Sequence, residues 1–182
     1  MSKFLVIAEK PSVAQSYAKN LSAYKREDGY LEGESCIVSW CLGHLAEYAQ
    51  PEEYDPKYGK WQFDDLPILP ETWKLKVSKD KKKQFEVIKT LMNRSDVEYL
   101  VNGCDAGREG ELIFQRVYDL AGCRKPVKRL WISSMEDAAI QKGFQTMKSE
   151  EEYKNLCMAA VCRAQADWLI GMNGTRAYHE IF

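Results

Sequence analysis

The chain has 182 residues, of which 45% are apolar and 29% charged, and its formal net charge is −1. That balance describes a folded globular chain with one good core and room for part of a second domain. It excludes a disordered chain and a uniformly basic nucleic-acid binder.

Phe4 to Ala8 reads as a buried strand that runs into Glu9-Lys10-Pro11-Ser12. Its apolar run is too short, and meets charge too soon, for a signal peptide, and no run in the chain is long enough to span a membrane. Pro11 suits the start of a helix, where its missing N–H costs nothing. Val13, Ala14, Tyr17, Ala18 and Leu21 then carry helical spacing. Glu9 and Lys10 therefore stand at the carboxyl end of a strand.

Tyr24 to Gly33 is polar and bears glycine, which predicts a turn or hairpin, and Ser35 to Cys41 reads as a strand. Gly43-His44-Leu45 follows; a histidine near a core reads as a hydrogen-bonded structural group. Pro51 to Pro70 is loop-like, with four prolines and the aromatics Tyr54, Tyr58, Trp61 and Phe63. So long a loop inside a compact domain is usually functional. Its rings suit stacking on bases or pinning the loop to the core. Trp73 to Val77 alternates as a strand, and Lys79 to Met92 reads as a helix with Phe85, Ile88, Leu91 and Met92 on one face.

The stretch around which the chain is organised runs from Val101 to Phe114, VNGCDAGREGELIF. Val97 to Val101 is a short buried strand, and Ile113, Phe114, Val117, Tyr118, Leu120 and Ala121 follow helical spacing. Between them lie glycines and the carboxylates Asp105, Glu109 and Glu111. A strand entering a helix through a glycine loop is where ligands bind in α/β folds. Carboxylates there are hard oxygen ligands suited to Mg²⁺, and glycines let the backbone approach a phosphate. Glu109 and Glu111 also suit the first turn of a helix, where the macrodipole favours negative charge. If the two acid-bearing strands are neighbours in a parallel sheet, Glu9 and Asp105 point into one crevice. Lys10 beside them suits a phosphate.

Val127 to Ile132 is another short strand, and Ser133-Ser134-Met135-Glu136 supplies an N-cap before a helix with Ala138, Ala139, Ile140 and Phe144. The basic runs Lys79, Lys81, Lys82, Lys83 and Arg124, Lys125, Lys128, Arg129 read as solvated surface. Polar composition at Lys148 to Glu152 divides the chain into a unit at 1–150 and a segment at 151–182. Asn155 to Ile170 is helical, and Gly171 with Asn173-Gly174 predicts its end. Thr175 to Phe182 carries no closing signal, so the chain reads as part of a larger protein. The six cysteines include no C-x-x-C pair, which argues against zinc. Without a secretory signal they imply reduced thiols in the cytoplasm.

Ile7-Ala8-Glu9-Lys10-Pro11-Ser12, Gly43-His44-Leu45, Asp105-Ala106-Gly107-Arg108-Glu109-Gly110-Glu111 and Ala166-Asp167-Trp168-Leu169-Ile170-Gly171-Met172-Asn173 occur in this order. Together they resemble the N-terminal part of the type IA DNA topoisomerases, most closely the bacterial topoisomerase III group, over essentially the whole chain. The resemblance implies an α/β fold, a TOPRIM (Rossmann-like) parallel sheet flanked by helices, followed by the start of a helical DNA-binding domain. It implies an enzyme that cuts, passes and reseals single-stranded DNA without ATP, through a tyrosine that links to the 5′ phosphate. Carried over by motif, Glu9 and Lys10 are catalytic: Glu9 serves the leaving 3′ oxygen and Lys10 steadies the phosphate. Glu9, Asp105 and Glu109 hold Mg²⁺, and Trp61, Arg163, Asp167, Trp168 and Arg176 touch the strand; core packing is the other reading of both tryptophans. Gly107 stands where the family commonly has a second aspartate, which implies weaker cation binding. The family's tyrosine lies beyond residue 182, so the chain has the metal half of a site without the nucleophile. The rival readings are a TOPRIM nuclease or primase and a DNA-binding module without catalysis.

Overall fold

The computed structural model describes residues 2–181. Its elements are β1 (Lys3–Ala8), α1 (Pro11–Asn20), β2 (Lys25–Glu27), β3 (Tyr30–Glu32), β4 (Cys36–Trp40), β5 (Ala46–Tyr48), α2 (Pro51–Tyr54), β6 (Leu75–Val77), α3 (Lys82–Met92), β7 (Val97–Gly103), α4 (Arg108–Leu120), β8 (Val127–Arg129), α5 (Asp137–Gln145), β9 (Lys148–Ser149) and α6 (Lys154–Ile181). Seven strands form one sheet in the order β2-β3-β4-β1-β7-β8-β9. The inner four run parallel, and antiparallel strands close both edges.

β1 explains its own central place. Leu5, Val6, Ile7 and Ala8 are all 0% exposed, as an uninterrupted apolar run must be when helices cover both faces of a parallel sheet. Leu5, Ile7, Ile37 and Leu100 meet α3 and α4 through Phe85, Ile88, Ile113, Phe114 and Val117. Val6, Ala8, Val38 and Val101 meet α1 and α5 through Ala14, Tyr17, Ala18 and Ile140. A separate β5–β6 ribbon with Tyr48, Ile68, Trp73 and Tyr54 receives Trp168 of α6 and forms a third cluster. Among the described residues no helix is long and apolar enough to cross a membrane.

Four local expectations change and one narrows. α6 does not end at Gly171 or Asn173-Gly174 but continues to Ile181. Asn173 explains why: its side-chain amide donates to Ile68 O at 3.0 Å and Leu169 O at 2.8 Å, and its Oδ1 accepts the Ile68 N–H at 2.5 Å. Docking of this kind outweighs the ~1 kcal/mol cost of a glycine inside a helix. The strand expected at Trp73–Val77 shortens to Leu75–Val77 and pairs with β5, outside the main sheet. The strand expected at Val127–Ile132 ends at Arg129. Within the capping stretch expected at Ser133-Ser134-Met135-Glu136, the N-cap is Glu136, without a side-chain cap hydrogen bond; α5 begins at Asp137, and Ser134 Oγ accepts the Glu136 N–H at 3.3 Å. Arg129, expected among solvated residues, is 0% exposed.

Candidate active site

β1 and β7 are hydrogen-bonded neighbours with Ala8 opposite Gly103, so the residues that follow them, Glu9 and Asp105, leave the sheet at the same edge. Glu9 is 8% exposed, and its Oε2 accepts the Asp105 N–H at 3.2 Å. The Gly43 N–H reaches Glu9 O at 3.3 Å, so the turn after β4 closes over the same strand end. Lys10 is exposed at the N-cap of α1, with Pro11 behind it as expected. The side chain of Asp105 is exposed.

Two glycines shape the loop. Gly107, the N-cap of α4, has φ +152° and ψ 177°, a conformation essentially restricted to glycine. A Cβ at Gly110 would lie 2.0 Å from Asp105 O, so the first turn of α4 packs on the main chain of Asp105 only because that position has no side chain. Tyr17 supports the loop from the other face of the sheet, with its hydroxyl donating to Gly103 O at 3.0 Å. Burial holds that hydroxyl above the ordinary tyrosine range.

Beneath the loop lies a charge network that the sequence did not announce. Arg129 is wholly buried with Glu111, and its Nε donates to Glu111 Oε1 at 2.5 Å. Its Nη1 reaches the carbonyls of Asn102 at 3.1 Å, Cys104 at 2.6 Å and Leu130 at 3.1 Å, and its Nη2 reaches Asp105 O at 2.9 Å. Asn102 Nδ2 donates to Glu150 Oε1 at 3.1 Å. The second oxygens of Glu111 and Glu150 are buried without a hydrogen-bond partner. Burial first, then the Glu111 carboxylate, pushes Glu150 up to about 8. A signal for Arg129 was present: Val127, Arg129 and Trp131 alternate in a strand pattern, which puts Arg129 on one face of the sheet and not among loop lysines.

Glu109 does not join Glu9 and Asp105. Its carboxylate pairs with His44 Nε2 across a crevice, so the histidine read as a hydrogen-bonded group faces a predicted cation ligand. Among the described residues no group of three or more His, Cys, Asp or Glu is arranged to hold a metal ion. The Glu9–Asp105 set still fits Mg²⁺, a hard cation commonly held by one or two carboxylates while water and phosphate fill its other positions.

The crevice lies between α4 and α6, encloses about 620 Å³, and is lined by His44, Gly107, Arg108, Glu109, Arg116 and Arg163, with Asp167 at its margin. Arg163 and Asp167 are exposed one helical turn apart, 3.7 Å between Nε and Oδ2. The other predicted strand-contact residues sit elsewhere. Trp168 is 8% exposed, donates its indole N–H to Ala49 O at 3.1 Å and packs edge-on against Trp73. Arg176, also buried, donates to Tyr58 O at 2.7 Å and lies 5.1 Å over the Trp61 ring. Trp61 remains 40% exposed and takes the His179 ring at its edge. These three residues fasten α6 to the 51–70 loop and thereby hold Arg163 and Asp167 over α4.

Residues 4–135 match the family model described as the Toprim domain. The chain is 51% identical over 177 residues to DNA topoisomerase 3 of Bacillus subtilis strain 168, covering 97% of this chain and 24% of that protein. It is 52% identical to DNA topoisomerase 3 of Bacillus cereus strain ATCC 14579 and 49% identical to that of Bacillus licheniformis strain ATCC 14580, with the same coverage. The chain thus spans about a quarter of the length of the curated relatives it matches. Among solved structures, full-length topoisomerase I from Thermotoga maritima superposes with a TM-score of 0.59 at 20% identity, over 91% of this chain and 24% of that one. At that identity the match shows a shared fold.

Proposed function

The chain belongs to the Toprim-domain family, and from that premise we propose that it is the N-terminal, cation-binding part of a type IA DNA topoisomerase that cuts, passes and reseals single-stranded DNA. The observation that carries the proposal is the convergence of Glu9 and Asp105, from neighbouring parallel strands, joined by the 3.2 Å Asp105 N–H to Glu9 Oε2 hydrogen bond. The unit at 1–150 supplies this edge, and the segment at 151–182 begins a helical DNA-binding domain.

Mg²⁺, when bound by Glu9 and Asp105, supplies positive charge at the phosphate. Glu9, buried and fixed at a strand end, is suited to hold a proton at the leaving 3′ oxygen, and Lys10 to meet the phosphate charge. Arg108, Arg116 and Arg163 line the adjoining crevice and offer guanidinium groups to a single strand's phosphates, which Lys could meet only as a point charge. The tyrosine nucleophile belongs, in this reading, to the longer protein. A cytoplasmic location goes with it and suits six cysteines that are all free. Hydrolysis by a Toprim nuclease is the rival chemistry; the 51% identity to a topoisomerase favours the first reading.

Calorimetric titration of Mg²⁺ into the chain, beside Glu9→Gln and Asp105→Asn, tests the proposal. Binding at millimolar Mg²⁺ that both variants weaken is expected. No binding, or binding indifferent to both variants, would remove the site. Mg²⁺-dependent hydrolysis of single-stranded DNA by the chain would favour the nuclease.

A further inference from the structure

Resting on that reading, we infer that Arg129 is a positioning residue for the cation site: a buried clamp that fixes the main chain of Asp105 and so sets where its carboxylate stands relative to Glu9. β7 ends at Gly103, and beyond it the Cys104 and Asp105 carbonyls have left the sheet ladder. Buried carbonyls without partners cost ~1–3 kcal/mol each. Arg129 supplies those partners, with Cys104 O at 2.6 Å and Asp105 O at 2.9 Å, while it also holds Asn102 O and Leu130 O. A planar fork suits this task where a lysine ammonium does not, because donors must reach several carbonyls in fixed directions at once.

The clamp works from two sides. Arg129 holds Asp105 O from β8, and Gly110 brings the first turn of α4 against the same oxygen. The Asp105 N–H is meanwhile spent on Glu9 Oε2. With its N–H and its carbonyl both fixed, Asp105 keeps only side-chain rotation, although its side chain is exposed. The charge of the clamp is also accounted for. Glu111 balances Arg129 in a fully buried pair.

Amide hydrogen exchange by NMR tests the clamp without reference to activity. In the unaltered chain the Asp105 amide, outside any strand and on an exposed residue, should exchange within about tenfold of the Leu100 and Val101 amides of β7, as groups that open only with the core do. In Arg129→Lys it should exchange at least about tenfold faster than in Ile88→Ala, a core control in α3 that leaves the Arg129 hydrogen bonds in place. Mn²⁺ affinity, read by electron paramagnetic resonance, should fall about tenfold in Arg129→Lys and stay unchanged in the control, the usual effect of losing a group that orients a ligand. An Asp105 amide that exchanges like a free loop in the unaltered chain overturns the clamp even if the lysine variant does not fold. So does equal exchange in the two variants. A chain that binds no Mn²⁺ removes the functional reading instead, and the exchange rates still decide the clamp.

Discussion

Replacing Gly107 with aspartate would restore the second acid of the family pattern, and the structure sets its cost. Gly107 has φ +152° and ψ 177°, and a side chain forced into that region costs ~1–3 kcal/mol. Nothing lies within 4 Å of a Cβ built there, so the penalty is in the backbone and not in a collision. For a chain of this size each kcal/mol shifts Tm by ~2–4 °C, giving a loss of ~2–12 °C. Gly107→Ala isolates that strain, since alanine adds a Cβ without charge. Gly107→Asp adds a carboxylate at the N-cap of α4, where it gains ~1 kcal/mol from the free N–H groups but faces Asp105 and Glu109. Melts of both variants with and without Mg²⁺ separate the terms. Both should melt below the unaltered chain, Mg²⁺ should recover part of the loss in Gly107→Asp alone, and calorimetry should show tighter Mg²⁺ binding there. An alanine variant that melts with the unaltered chain would refute the claim of a glycine-only conformation. An aspartate variant with unaltered Mg²⁺ affinity would show that position 107 does not face the cation.

Glu150 ties stability to pH. Its folded value lies above the ordinary 4.5, at about 8, so the folded chain holds a proton that the unfolded chain releases across that window. Stability should therefore fall as pH rises from about 4.5 to about 8; Glu150→Gln should flatten this part of the Tm profile, and parallel profiles would count against the raised Glu150 value. Gly110→Ala should lower both Tm and Mg²⁺ affinity, because its Cβ would stand 2.0 Å from Asp105 O; a variant that melts and binds like the unaltered chain would show that the loop yields freely. Single-stranded DNA should bind weakly and lose affinity with salt, given a net charge of −1 and a few local arginines. Arg163→Ala should weaken it further in fluorescence anisotropy, and tight, salt-indifferent binding would contradict the crevice reading. The chain alone should not relax supercoiled DNA with Mg²⁺, because in the family reading the tyrosine lies beyond residue 182; reproducible relaxation would end that argument.

Much of the sheet and its ligand edge was legible because the signals are local. An unbroken apolar run at Leu5–Ala8 means a strand buried on both faces. Pro11 after Glu9-Lys10 means a helix start, and glycines between β7 and α4 mean a tight loop. These features depend on residues a few positions apart, so period and turn chemistry reveal them. The convergence of Glu9 and Asp105 needed one further assumption, that β1 and β7 are neighbours, which their pairing bears out.

What the sequence alone determined, then, was the order of strands and helices and the acids at their ends. The tertiary structure decided which charges meet. Glu109 meets His44, 65 residues away. Arg129 left the surface for Glu111, 18 residues away, and for the carbonyls at the end of β7. Gly171 and Gly174 stayed helical because Asn173 is held by Ile68, 105 residues away. Each outcome turns on desolvation and hydrogen-bond geometry between distant segments. A buried guanidinium or amide is stable only where the fold delivers its partners, and no local pattern records where they come from.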